Sequence, residues 1–295
     1  MTSPTLRIAL AGFGGACAAF IALGAGSMRL PASTPASASV LARYDLGAAP
    51  TARWKLPRAL DEISGLATDA TGRLFAHDDE QAIIYELDAS AERIVRQFAF
   101  GRPPARGDFE GIAVAGTRVF LTTSSGIVYA GATGANGTAV PFSLFRTGIG
   151  RSCEIEGLAW NANQDSLLFA CKAPRISALR DRLAVFAWSP ARPAPAAEPA
   201  MRASLRDVAD QLGHRDFLPS ELLRDPDTGH LLLLAARAHA IVEITPQGDV
   251  VNVSRLQRAL HRQPEGLAFD RDGALLISDE ANGGRATLTT YRRAR

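Results

Sequence analysis

From Tyr44 onward, short apolar runs alternate with turns rich in Asp, Gly and Pro, the pattern of short strands joined by tight hairpins. One pentapeptide recurs at the head of each group of strands. It reads Ile63-Ser64-Gly65-Leu66-Ala67, Phe109-Glu110-Gly111-Ile112-Ala113, Ile155-Glu156-Gly157-Leu158-Ala159, Pro219-Ser220-Glu221-Leu222-Leu223 and Pro264-Glu265-Gly266-Leu267-Ala268. Aligned on the second residue, the copies are 46, 46, 64 and 45 residues apart. The long interval holds an insertion, Pro190 to Phe217, that begins Pro/Ala-rich and then reads as a short helix or loop.

The stretch after each pentapeptide also repeats. A turn such as Asp69-Ala70-Thr71-Gly72 or Asp270-Arg271-Asp272-Gly273 leads to an apolar run, Leu74-Phe75-Ala76 or Leu275-Leu276-Ile277. A third strand comes next, as in Ile83 to Leu87, and in places a fourth, as in Arg93 to Phe98. Each unit is thus an antiparallel sheet of up to four strands. One such sheet cannot bury both faces alone, whereas five packed radially can. The predicted fold is all-β, a five-bladed β-propeller spanning residues 41–295. The fifth unit lacks an outer strand, and Leu41 to Leu46 is the segment expected to supply it and lock the ring.

Upstream the pattern changes. Ile8 to Gly26 carries no charged or strongly polar side chain and is flanked by Arg7 and Arg29. As a helix it would span about 28 Å, nearly a bilayer core. Residues 1–30 therefore read as a signal anchor or a cleaved signal peptide, with Ala36-Ser37-Ala38 as a small-x-small site for the second case. Residues 31–40 form a Pro/Ala/Ser spacer. Either reading exports the propeller. The expected location is the bacterial inner membrane, with the propeller facing the periplasm or exterior and the membrane as a partner through the N-terminal helix.

Composition narrows the function. The net charge is +2, which offers no global attraction for nucleic acid. Three cysteines exclude a disulfide-rich scaffold and a cysteine-cluster zinc site. Cys153 precedes the inner strand of blade three and Cys171 ends its second strand. Antiparallel pairing would bring the two together, as a disulfide or as two buried thiols.

In a propeller the first strand of each blade lies nearest the axis, so equivalent positions form a ring. Here the ring is Ser64, Glu110, Glu156, Ser220 and Glu265. Glutamates gathered in a channel repel, and a proton or a cation must relieve them. Calcium takes 6–8 oxygen ligands in irregular geometry and suits this set better than zinc. The competing reading has each glutamate capping backbone N–H groups or pairing with arginine in its own blade. Glu62, Asp108 and Glu154, two residues upstream, would form a second tier or face water. Loops at the ends of second strands offer His77, Asp79, Lys172, Arg237, His239 and Asp279 as a polar pocket mouth. Neither G-x-S-x-G, H-E-x-x-H nor a P-loop occurs.

The five motifs in this order resemble the SdiA-regulated, or YjiK-like, family of bacterial envelope proteins, from about Tyr44 to Tyr291. The resemblance implies a five-bladed propeller distantly akin to NHL-repeat propellers, a calcium site and a membrane-anchored location, without an established activity. It carries to Glu110, Glu156, Ser220 and Glu265, with Ser64 at the equivalent serine. The insertion before blade four and the short loop after Ser124 depart from it. Three functions are expected as alternatives: a calcium-binding module with a small-molecule or protein ligand, a calcium-dependent hydrolase of phosphoesters or lactones using His77 or His239 as base, or a metal-free scaffold for another envelope protein.

Overall fold

A computed structural model describes residues 38–294, and the expected anchor and most of the spacer lie outside them. The described chain forms five sheets arranged as five blades. Blade one comprises Ile63–Thr68, Leu74–Asp78, Ile83–Asp88 and Arg93–Phe100; blade two Phe109–Ala115, Arg118–Thr123, Ile127–Ala132 and Phe142–Arg146. Blade three comprises Cys153–Asn161, Ser166–Pro174, Arg182–Trp188 and Met201–Ser204; blade four Glu221–Arg224, Leu231–Ala235, Ala240–Ile244 and Val250–Arg255. Blade five adds Pro264–Phe269, Leu275–Asp279 and Thr287–Tyr291. A short strand from blade two, Thr138–Val140, also pairs in parallel with the rim of blade one.

Strand alternation explains the ring. Successive side chains on a strand point to opposite faces, so each blade serves two neighbours. Leu231 and Leu233 join the core shared with blade three, whereas Leu232 and Leu234 join the core shared with blade five. Likewise Phe75 packs towards blade two, and Leu74 and Ala76 towards blade five. The buried apolar clusters accordingly fall one to each interface between blades.

The closing strand differs from expectation. Ala52–Lys55, not Leu41 to Leu46, pairs antiparallel with Thr287–Tyr291, from Ala52 opposite Thr290 to Lys55 opposite Thr287. This edge strand buries a single side chain, Trp54, so its four residues show no alternation to read. Leu41–Arg43 is instead one turn of 3-10 helix, and beyond it only Tyr44 bridges to Arg293. Glu243 of blade four draws this segment inward. Its carboxylate accepts the N–H of Val40 at 2.8 Å and of Leu41 at 3.0 Å, and Ser39 Oγ at 2.6 Å. Val40 and Leu41 then enter the core between blades four and five.

The insertion supplies the outer strand of blade three, Met201–Ser204, and the α-helix Leu205–Leu212, the one α-helix among the described residues. Ser204 caps it by accepting the N–H of Asp207, and Gly213 ends it in the left-handed region. Val208 and Leu212 pack on the interface of blades three and four.

Candidate functional site

The inner strands crowd at the axis, and the third residue of each pentapeptide shows it. A Cβ on Gly111 would sit 2.8 Å from the backbone N of Leu158, and one on Gly157 would sit 2.5 Å from the N of Leu222. Blade four breaks the rule with Glu221, whose side chain enters the axis. Fully buried, it accepts N–H groups from Leu222 at 2.8 Å, Leu66 at 3.2 Å and Leu158 at 3.3 Å. One carboxyl thereby ties blades one, three and four together. Burial lifts its pKa well above the carboxylate range, although the three N–H groups pull the other way.

The residue before the glycine lies in a local irregularity of the ladder. Register shifts fall between Ile63 and Gly65, Phe109 and Gly111, and Pro264 and Gly266, which leaves Ser64, Glu110 and Glu265 unpaired. A similar shift spans Ile155 to Leu158, around Glu156. Such bulges re-aim side chains, and here they occur at the expected ring. The two serines link blades: Ser64 Oγ donates to the Phe109 carbonyl at 3.1 Å, and Ser220 Oγ to the Pro264 carbonyl at 3.0 Å.

The glutamates share one cation. Lys172 forms an ion pair with Glu156 and also lowers the pKa of both Glu110 and Glu265. Burial and the carboxylate of Asp108 nevertheless push Glu110 up to about 8. Burial carries Glu265 to about 7, against Lys172 and a hydrogen bond from Ser220. Glu280 rises to about 8 through burial and a hydrogen bond with Glu62, and it also receives an amide contact from Gln263. Asp79 is raised by burial and by Glu62, and its Oδ1 is buried without a partner. Glu62 was expected in a second tier or facing water; its approach to Glu280 depends on the packing of blade five beside blade one.

The remaining expected residues are distributed differently. His77 lies below the mouth, fully buried, with Nδ1 2.8 Å from the Asp78 carbonyl. Its Nε2 has no partner and faces the Cα of Gly65, where a Cβ would meet it at 2.7 Å. Burial lowers its pKa to about 4, so it is neutral near pH 7. Asp279 is buried, with Oδ2 2.8 Å from His261 Nδ1, while His261 Nε2 lies 2.8 Å from the Tyr291 hydroxyl. Arg237 and His239 occupy the turn leaving the second strand of blade four, where His239 Nδ1 lies 3.2 Å from the Arg237 carbonyl. Glu154 sits with Arg175 at 3.8 Å. Cys153 and Cys171 form a disulfide across the first two strands of blade three, with 5.7 Å between Cα atoms.

No three His, Cys, Asp or Glu side chains among the described residues are arranged to hold a metal ion. The acidic mouth does bring together carboxylate oxygens from several blades, raised pKa values and an unpartnered buried oxygen on Asp79.

Five sheets around an axis, with acids gathered at the mouth where the inner strands begin, define a five-bladed propeller with an acidic channel entrance. The chain belongs to the SdiA-regulated family, whose model matches residues 48–283. A search of curated proteins finds no match. Among solved structures, glutaminyl cyclase of Myxococcus xanthus is similar at 17% identity and a TM-score of 0.53, over 82% of this chain and 94% of that one. The PQQ-bound aldose sugar dehydrogenase of Streptomyces coelicolor is similar at 12% identity and a TM-score of 0.51, over 83% of this chain and 99% of that one. At these identities the likeness is one of fold.

Proposed function

We propose that this protein is a membrane-anchored binding module of the bacterial envelope whose acidic channel mouth takes calcium. The observation that carries the reading is that Glu110 and Glu265 share a single ammonium, Lys172, already paired with Glu156, while Glu280 interacts with Glu265, Asp79 and Glu62 and has no cation among its described partners. Near neutral pH Glu110, Glu265 and Glu280 hold protons that a divalent cation would displace. Glu110, Glu265 and Asp79, with Glu62 and Glu280 behind them, would hold the ion, and its charge would offset their repulsion. The disulfide favours an oxidising compartment, in keeping with the apolar Ile8–Gly26 segment as an export anchor.

Calorimetric titration with calcium at pH 8 tests this proposal. Saturable binding is expected, lost in a Glu110→Gln/Glu156→Gln/Glu265→Gln triple variant that still folds. Absence of calcium binding in the parent protein, or equal binding by the triple variant, would overturn it.

A further inference from the structure

The other end of the channel opens into a cavity of opposite character. Where the inner strands finish, all five blades line a cavity of about 950 Å³. That volume is at the upper end of pockets for small organic ligands. Leu66, Ile112, Leu158 and Leu222 form part of the lining nearest the axis, next to the buried Glu221 hub. Trp160 and Phe269 contribute aromatic wall, half-buried and thus still open to a ligand.

Charge at this mouth is selective. Asp69 is occupied within its own turn, with Oδ1 accepting from Thr71 and Oδ2 from Arg73 at 2.8 Å. Asp270 likewise accepts the N–H groups of Asp272 and Ala274. Arg118 pairs with Asp165 at 3.1 Å and stands over the rings of Phe120 and Trp160. Arg224 and Arg271, from adjacent blades, line the same cavity, and their side chains have no ion pair or hydrogen bond among the described residues. Asp69 is thus neutralised by Arg73 and Asp270 is held by backbone N–H groups, while Arg224 and Arg271 bring two further positive side chains to the lining of an apolar chamber. A guanidinium matches a carboxylate or phosphate with paired N–H donors.

We infer that this chamber binds a small amphiphilic anion, its acyl or aryl body against Trp160 and Phe269 and its anionic head between Arg224 and Arg271. The site is separate from the acidic mouth, and its test is independent of calcium.

The full-length protein would be titrated with 8-anilinonaphthalene-1-sulfonate by fluorescence, then challenged with octanoate and with 1-octanol. Saturable probe binding is expected, with octanoate displacing it at least tenfold more effectively than the uncharged alcohol. Arg224→Gln/Arg271→Gln should erase that preference and leave octanol unchanged. Ala115→Trp, or Ala70→Trp at the exposed rim should the first variant fail to fold, should block both competitors at an unchanged melting temperature. No saturable probe binding, equal competition by octanoate and octanol, or insensitivity to the tryptophan variant would each overturn the inference.

Discussion

Replacing Glu221 by alanine removes the acceptor that joins three blades at the axis. The N–H groups of Leu66 and Leu158 are buried and reach the carboxyl from other blades, at 3.2 and 3.3 Å. Left without a partner, each costs about 1–3 kcal/mol, so the pair costs about 2–6 kcal/mol. That is a large share of a domain stability of about 5–15 kcal/mol. Glutamine keeps one oxygen, suited to Leu158 and Leu222, but turns an amide N–H₂ towards Leu66 N–H; one donor is then lost, at about 1–3 kcal/mol. Urea denaturation followed by tryptophan fluorescence would read both variants at constant pH. The order of stability should be parent, glutamine, alanine. An alanine variant within about 1 kcal/mol of the parent would show that the three N–H groups do not depend on this carboxyl, and the hub argument would fail.

Other consequences can be checked alongside. In the absence of calcium, stability should fall as pH rises. Glu110 and Glu265 keep protons up to about 8 and about 7 when folded, against an ordinary 4.5, so the folded chain binds more protons between those limits. The advantage is complete below about 4.5 and gone above about 8; the urea midpoint should be lower at pH 8.5 than at pH 6, and calcium should restore it at the higher pH alone. Reduction of the Cys153–Cys171 disulfide, whose partners are 18 residues apart, should cost about 3 kcal/mol by the loop-entropy argument, seen as a lower denaturation midpoint with reductant that a Cys153→Ser/Cys171→Ser variant no longer shows. Trp54→Ala should cost about 3–5 kcal/mol, because Trp54 is the one side chain the closing strand buries; hydrogen exchange should show Thr287–Tyr291 losing protection first.

Much of the architecture was legible because repetition leaves a trace that a single strand does not. The pentapeptides marked the inner strands, and their register carried the blade count without any contact being known. Closure was legible as a need but not as a location. Ala52–Lys55 buries only Trp54, while the more strand-like Leu41 and Tyr44 are held in the core otherwise, Leu41 by Glu243 and Tyr44 by its hydroxyl donating to the Gly273 carbonyl. The ladder shifts that free Ser64, Glu110 and Glu265 were invisible, since a bulge is set by neighbouring strands and not by composition. Lys172 entered the ring for a similar reason: strand pairing in blade three brings it to Glu156, 16 residues earlier. Glu221 did leave a signal, as a glutamate where the other four copies have glycine. Reading that departure physically would have placed a side chain in the space the glycines keep clear.

That glutamate also lies between two unlike ends of the channel. Each inner strand begins among acids and finishes among apolar residues, so the axis runs from Glu110 and Glu265 at one mouth to Leu66, Ile112 and Leu158 at the other. An open axis would let water connect the two environments and screen the charges that raise the pKa values at the acidic end. Glu221, enclosed between inner strands and bound to their N–H groups, sits where such a passage would run. The carboxyl that strengthens the ring thus also keeps its ends chemically distinct, and a smaller residue at 221 should bring Glu110 and Glu265 back towards the ordinary carboxylate range.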